Sequence, residues 1–502
     1  MIRKVLIANR GEIAHRIIRA CQEMQIHTVS VYSTPDRLAP HVLYADEAYH
    51  IGEASASESY LRMDTLIDVA KKSGCDAVHP GYGFLAENAA FARQVQDAGL
   101  TFIGPNPDAI ATMGDKVAAR KKVGSAGVPI VPGLKEPVED IQHVAKVASE
   151  IGFPVLIKAV GGGGGKGMRI VREASDLEKS IQTASNEAQS AFGDARVYVE
   201  KYLEEPHHIE IQILADQHGN VIHLNERECS VQRRYQKIIE ESPSPFMTPE
   251  LRASMGEAAV NAAKACVYVN AGTVEFLVDK HRNYYFLEMN TRLQVEHPVT
   301  EQVTGIDLVK AQIQVANGEP LPWRQEEIIS RGHAIECRVY AEIASQNFAP
   351  SIGKITGMHI PDGYGVRFDG GIYAGLRITP HYDPMIGKLV CWGRDRNEAI
   401  QRMLRSLDEF SIAGVETSLG FCANVLRHSA FAEGKYDTHI LEEYLDEILN
   451  IPDTGSSMEL PAGIAAVLEF RRNENPDSAT LSGNHDRTNP WKSAGRQRGM
   501  DA

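Results

Sequence analysis

Paired cysteines, long apolar runs and an excess of positive charge are what this sequence does without, and each absence closes off a class of protein. Its seven cysteines (Cys21, Cys75, Cys229, Cys266, Cys337, Cys391 and Cys422) are scattered, odd in number and include no Cys-x-x-Cys pair. That is the pattern of reduced, structural thiols rather than of a disulfide framework. No uninterrupted apolar run approaches membrane-spanning length. The apolar start, Met1 to Arg16, is broken by Arg10 and Glu12 and does not read as a signal peptide. With 52 Lys and Arg against 66 Asp and Glu, the formal net charge of −14 argues against a nucleic-acid surface. The expectation is a cytoplasmic protein with neither nucleic acid nor membrane as partner. At 502 residues it should hold roughly two to four units, each able to bury a core.

Two common nucleotide signatures are also missing. No Gly-x-Gly-x-x-Gly follows the first apolar run, Lys4 to Asn9, so a dinucleotide-binding domain is disfavoured. Helical periodicity from Glu12 to Met24, a strand at His27 to Tyr32, a helix at Met63 to Ser73, a strand at Asp76 to His79 and a helix at Glu87 to Ala98 then alternate. That alternation predicts a parallel sheet flanked by helices. Pro80-Gly81-Tyr82-Gly83-Phe84 follows the third strand, where open α/β sheets place functional loops.

The second missing signature is Walker A. Gly161 to Gly165, then Lys166-Gly167-Met168, lack its closing Lys-Ser/Thr. Five consecutive glycines between the apolar strands Val155 to Ala159 and Arg169 to Val171, bracketed by Lys158 and Lys166, are still suited to phosphate. Their backbone N–H groups are unobstructed by side chains. A flexible linker is the plainer alternative, but linkers seldom separate two apolar strands and carry lysines. The reading is a mobile glycine lid over nucleotide phosphates.

Further on, Val197 to Leu203 is a strand whose end could present Glu200 to an adenine and ribose. His207 to Ile213 alternates, placing His208, Glu210 and Gln212 on one face; taken alone it reads as a half-exposed strand. Arg227 to Lys237 packs four cations into an acidic protein, either a solvated basic face or an anion site.

The densest chemistry lies at Glu288-Met289-Asn290-Thr291-Arg292-Leu293-Gln294-Val295-Glu296-His297-Pro298. Glu288, Asn290 and Arg292 share one face of an extended chain. Gly272 to Val278 and Asn283 to Leu287 read as a hairpin joined by Lys280-His281-Arg282-Asn283. If Asp279 pairs with Tyr284, counting back sets Glu275 opposite Glu288. Two opposed carboxylates with an Asn two residues on make a hard-oxygen cluster suited to Mg²⁺ or Mn²⁺. An edge hairpin with two solvated glutamates is the bland alternative. Arg292 and Glu296 in the same run, an anion clamp and a base, favour the metal.

Together these pieces resemble biotin carboxylase, of the ATP-grasp superfamily, over roughly residues 1–448. The resemblance rests on Ile7 to Ala14, His79 to Leu85, the glycine lid, Gln232-Arg233-Arg234, Glu288 to Arg292, Gln294 to Glu301, Glu336-Cys337-Arg338 and Tyr382 to Leu389. It implies an α/β protein in four parts: an N-terminal α/β domain (1–113), an ATP-grasp domain (114–330, lid 133–203), a C-terminal α+β domain (331–448) and a disordered tail (449–502). It also implies a set of roles. Lys116, Lys158, Gly164, Gly165, Glu200, Lys201, Tyr202, Leu203, His208, Gln232, Tyr235 and Leu277 would surround ATP. Glu275, Glu288 and Asn290 would hold Mg²⁺ or Mn²⁺. Lys237, Arg292, Gln294 and Val295 would bind bicarbonate, Glu296 would take its proton, and Arg338 would face the ureido oxygen of biotin.

Two positions depart from the family pattern. Tyr235 stands where many members carry His, and Ile343-Ala344 replaces a usual Asp-Pro, changing a turn near Arg338. After Ile451 the pattern fades, with one short helix expected at Leu460 to Phe470. No Met-Lys pair exists to serve as a biotinylation site. Biotin is therefore expected on a separate carboxyl carrier protein. A carboxyltransferase subunit is expected as a further partner, and the chain itself as a homodimer. Another ATP-grasp ligase of carbamoyl-phosphate type, or a silent regulatory component, are the competing readings. Glu336-Cys337-Arg338 argues against the first, and retention of Glu275, Glu288, Asn290, Arg292 and Glu296 together against the second.

Overall fold

A computed structural model describes residues 1–134, 140–159, 168–192 and 196–451. Gly164 and Gly165 of the glycine run, the helix expected at Leu460 to Phe470 and the tail beyond it lie outside the described residues.

The N-terminal part is a five-stranded, all-parallel sheet in the order β3-β2-β1-β4-β5. Its strands are β1 (Lys4–Ile7), β2 (His27–Ser33), β3 (Glu47–Gly52), β4 (Ala77–His79) and β5 (Thr101–Phe102). Val5, Leu6 and Ile7 are fully buried, as a central strand covered by helices on two faces requires. Strands β3 and β5 escape the sequence pattern because they are edges, one alternating in exposure and one only two residues long. The helix expected from Glu87 starts at Ala89, since the Asn88 side chain accepts from Phe91 N and caps it. Glu87 is thereby left outside the helix, with consequences for the site.

Strands β6 (Val155–Ala159), β7 (Met168–Val171) and β8 (Val197–Lys201) form a separate antiparallel sheet, ordered β7-β6-β8. Its own small core includes Val155, Ile157, Val171, Val197 and Val199.

The centre of the molecule is an eight-stranded sheet. It contains β9 (His207–Ala215), β10 (Val221–Arg233), β11 (Gln236–Ser242), β12 (Asn270–Val278), β13 (Tyr284–Asn290), β14 (His333–Tyr340) and the strands Val366–Gly370 and Met385–Gly393. Its order is β13-β12-β9-β10-β11-β14, then Met385–Gly393, then Val366–Gly370. β9 is buried at every residue, so the expectation of a half-exposed strand is wrong. Its polar residues are buried against charged partners, Glu210 and Gln212 on Arg227 and His208 on Glu275.

The β12–β13 hairpin reaches the predicted pairing by a different route. Val278, not Asp279, pairs with Tyr284, and a bulge between Phe276 and Glu275 then brings Glu275 opposite Glu288. Asp279 is withdrawn from the ladder because its carboxylate accepts from the backbone N–H of His281 and Asn283, folding the turn around itself.

Candidate active site

Cross-strand register assembles the site. Arg227 pairs with Glu210, Glu210 with Glu275, and Glu275 with Glu288, so one row across β10, β9, β12 and β13 carries a cation and three carboxylates. Like charges abreast in a sheet destabilise it, and this row is stable only because cations are interleaved with it. Fully buried Arg227 binds Glu210 through Nε and donates to Gln212 Oε1 at 2.7 Å and to Thr273 Oγ1 at 3.0 Å. Lys237, at the start of β11, places its single amino group 2.7 Å from Glu210, 3.0 Å from Glu275 and 2.7 Å from Glu296. Burial would lower the Lys237 pKa, but the three glutamates outweigh it and hold it well above the ordinary lysine value.

Glu275 is the best-connected acid. Its Oε1 accepts from Asn290 Nδ2 and Gln294 Nε2, each at 2.9 Å, and its Oε2 lies 2.9 Å from His208 Nε2. Burial works against its charge, yet Lys237 and His208 keep the carboxyl well below the usual range. Its partner Glu288 goes the other way, pushed up by burial and then by the neighbouring Glu275 charge. A divalent cation between them would relieve that repulsion, and the donors available (two carboxylates and the Asn290 amide oxygen) are the hard oxygens such an ion takes. These residues fit Mg²⁺ or Mn²⁺.

The loop after β13 continues the site. Arg292 donates to Asn290 Oδ1 at 2.9 Å, to Gln294 Oε1 at 2.7 Å and to Glu87 Oε2 at 2.8 Å. Glu87 also accepts from Thr291 N at 3.0 Å. Glu296 is fully buried, with Lys237 on one oxygen and Arg338 Nη2 at 2.9 Å on the other. Burial alone would raise its pKa; Lys237, Arg338 and Arg227 together reverse that and hold it well below the ordinary glutamate value. Arg338 is itself oriented by Glu240 Oε1 at 2.6 Å from its Nε. Glu240 sits opposite Glu336 across β11 and β14. Burial raises Glu240 to about 7 despite Arg338, and neither oxygen of Glu336 has a hydrogen-bond partner among the described residues.

The residues assigned to the nucleotide are more dispersed. Lys116 opens a helix and is exposed, lining with Glu87, Glu288 and Asn290 a cleft of about 200 Å³. Lys158 pairs with Glu200, which lies 3.8 Å from Arg120. Lys201 is spent internally on the carbonyls of Gly152 and Phe153, at 3.0 and 2.9 Å. Tyr202 N donates to Pro154 O at 3.1 Å, and Leu203 is buried. Gln232 Nε2 and His208 Nδ1 are 2.9 Å apart, and Leu277 pairs with His208. Tyr235 is 80% exposed at the β10–β11 turn, where it and Arg234 both have positive φ.

Sequence reasoning missed the roles of Glu87 and Glu240 altogether, saw Glu210 only as part of an alternating strand and Arg227 only as one of four clustered cations. Their function is visible only through partners distant in the chain, such as Glu87 with Arg292 and Glu240 with Arg338.

A sheet with opposed acids and a separate three-stranded sub-sheet bearing Lys158 fit the ATP-grasp class that the sequence resembles. Family comparison agrees with that class and narrows it. Residues 1–110 match the family described as the biotin carboxylase N-terminal domain. Residues 115–324 match the carbamoyl-phosphate synthase L chain ATP-binding domain, and 336–443 the biotin carboxylase C-terminal domain. Biotin carboxylase 1 of Bacillus subtilis is 54% identical over 445 residues, 88% of this chain and 99% of that protein. The biotin carboxylase of Haemophilus influenzae is 51% identical over 446 residues, 89% of this chain and 99% of that one. The solved biotin carboxylase domain dimer of Hydrogenobacter thermophilus 2-oxoglutarate carboxylase, with Mg–ADP, ADP and bicarbonate, superposes with a TM-score of 0.81. It is 47% identical and covers 90% of this chain and 100% of its own. The chain belongs to the biotin carboxylase family.

Proposed function

We propose that the chain carboxylates biotin at N1′ using ATP and bicarbonate, with the biotin presented on a separate carrier protein. The observation that carries the reading is the convergence of Lys237 and Arg338 on the two oxygens of Glu296, beside the Glu275–Glu288 pair. Glu296 held ionised is a carboxylate ready to accept the bicarbonate proton, and Lys237 and Arg292 supply the positive field in which the resulting anion reacts. Attack on the γ-phosphate expels ADP and gives carboxyphosphate, which breaks down to CO₂ and phosphate; that phosphate removes the N1′ proton, and N1′ then attacks the CO₂. Arg338, locked by Glu240, then faces the developing charge on the ureido oxygen. Glu275, Glu288 and Asn290 would hold the metal, which supplies charge neutralisation at the transferring phosphoryl group. Lys116, Lys158 and His208 contribute further positive or donor groups around the nucleotide.

A carboxyltransferase subunit completes the reaction cycle, and the chain pairs with a second copy, as its Hydrogenobacter relative was solved as a dimer. Leu38, Leu43 and Tyr44, each more than half exposed, border an open cavity with Phe368 and offer an apolar face for that contact.

Phosphate release from ATP with Mg²⁺ and bicarbonate, measured with and without free biotin, tests the reading. Stimulation by biotin that disappears in Arg338→Ala supports it; bicarbonate-dependent turnover indifferent to biotin and to carrier would replace it with another ATP-grasp ligase.

A further inference from the structure

Three stretches singled out in the sequence have no part in the chemistry above: Asn9 to Glu12, His79 to Phe84 and Tyr382 to Leu389. They meet around one buried amino group. Lys388, on the strand Met385–Gly393, is fully buried, and its Nζ donates to the carbonyl of Val295 in the loop that carries Gln294 and Glu296. The same Nζ lies 3.4 Å from Glu12 Oε1. Glu12 accepts from the Tyr82 hydroxyl, and the Tyr82 ring centre is 5.8 Å from Lys388 Nζ. Across the sheet Lys388 pairs with Arg338 on one side and Asp369 on the other, so it stands between the residue that faces biotin and the outer strand.

Burying a lysine so completely is costly unless its charge is paired and its hydrogens are used. Here its bond to Val295 is the contact that reaches the reacting loop. A peptide plane is rigid, so fixing the Val295 carbonyl also fixes the direction of the Glu296 N–H and the Cα from which Glu296 projects. The Glu12–Tyr82 contact anchors the other end of the brace in the N-terminal α/β part.

We propose that Lys388 is a positioning residue for the bicarbonate loop, braced by Glu12 and Tyr82, and that it couples the N-terminal part of the chain to bicarbonate capture. The proposal rests on the functional reading above for the identity of the anion, but not for the brace itself.

The test uses the full-length chain carrying Lys388→Met, with Glu12→Gln as a second variant that keeps the side-chain shape and the Tyr82 contact. For Lys388→Met the KM for bicarbonate rises ~10-fold or more while the KM for ATP moves less than about twofold. Amide hydrogen exchange over residues 293–297 speeds up by a comparable factor, with the strand 385–393 unchanged. Glu12→Gln shows the same pattern more weakly, because the bond to Val295 remains. Loop exchange and bicarbonate KM that match the unmodified chain overturn the proposal, as does an equal loss for every substrate with no change at the loop. If Lys388→Met does not fold, Glu12→Gln decides, and unchanged loop exchange in it is the contrary result. If the unmodified chain shows no bicarbonate-dependent turnover, the functional reading fails, while faster loop exchange in the variants would still uphold the brace.

Discussion

The residues at the centre of the site are paired acids and bases whose charges depend on one another. Glu296→Gln keeps the volume but removes the proton acceptor and turns one of the two accepting oxygens into an NH2 facing Lys237 or Arg338; biotin-dependent phosphate release should fall by ~10²–10⁴-fold with folding intact by circular dichroism. Arg338→Lys keeps the charge and loses the planar grip that now spans Glu240 and Glu296. Its biotin-stimulated rate should drop by ~10-fold or more, with nucleotide affinity unchanged in a titration. Outside the site, Glu241 joins His333, Arg396 and Tyr436. Burial opposes its charge, but His333 and Arg396 bring the carboxyl down from 4.5 to about 2. A depressed carboxyl stabilises the fold fully above its unfolded value and loses that contribution as pH falls through the folded one. The window is therefore about pH 4.5 down to about 2, and the contribution is about 3 kcal/mol at 1.4 kcal/mol per tenfold. Acid unfolding of Glu241→Gln followed by fluorescence should show lower stability at pH 6 and a shallower loss across that window.

At the scale of elements, the metal site is a matter of register. Inserting one alanine between Leu287, the bulge residue, and Glu288 would slide Glu288 along to oppose Val274 and turn it to the other face of the hairpin. Mn²⁺ affinity, read by its electron paramagnetic resonance signal, should then weaken ~10-fold or more, whereas substitution of Leu287 by Ala should leave it nearly unchanged. This hairpin also shows how far the sequence could be read. Alternation and turn residues predicted two strands and the facing glutamates, but not that Asp279 would fold into the turn and a bulge would restore the pairing. The parallel α/β alternation was legible because β1, β2 and β4 carry clear apolar runs, while the edge strands β3 and β5 do not. The roles of Glu87, Glu240 and Lys388 stayed hidden for a different reason. Arg292 and Glu87 are 205 residues apart, and Lys388 and Val295 are 93; only the assembled sheet brings such partners into contact.

For the whole molecule, all seven cysteines are free and buried, in keeping with the structural thiols expected from their spacing. Among the described residues no helix is long and apolar enough to cross a membrane. Pairing through the Leu38–Leu43–Tyr44 face would give a particle of twice the 55.2 kDa chain. Sedimentation should find that dimer, and Leu43→Asp should shift it toward monomer, since a charge there would be desolvated on association. The proposed function brings ATP, bicarbonate and biotin together at Glu296. Its most direct measurement is the transfer of label from ¹⁴C-bicarbonate into acid-labile carboxybiotin, alongside phosphate release. ATP-dependent label should reach biotin in step with phosphate, and none should in Glu296→Gln. Phosphate released with no label ever reaching biotin, free or carrier-bound, would contradict it.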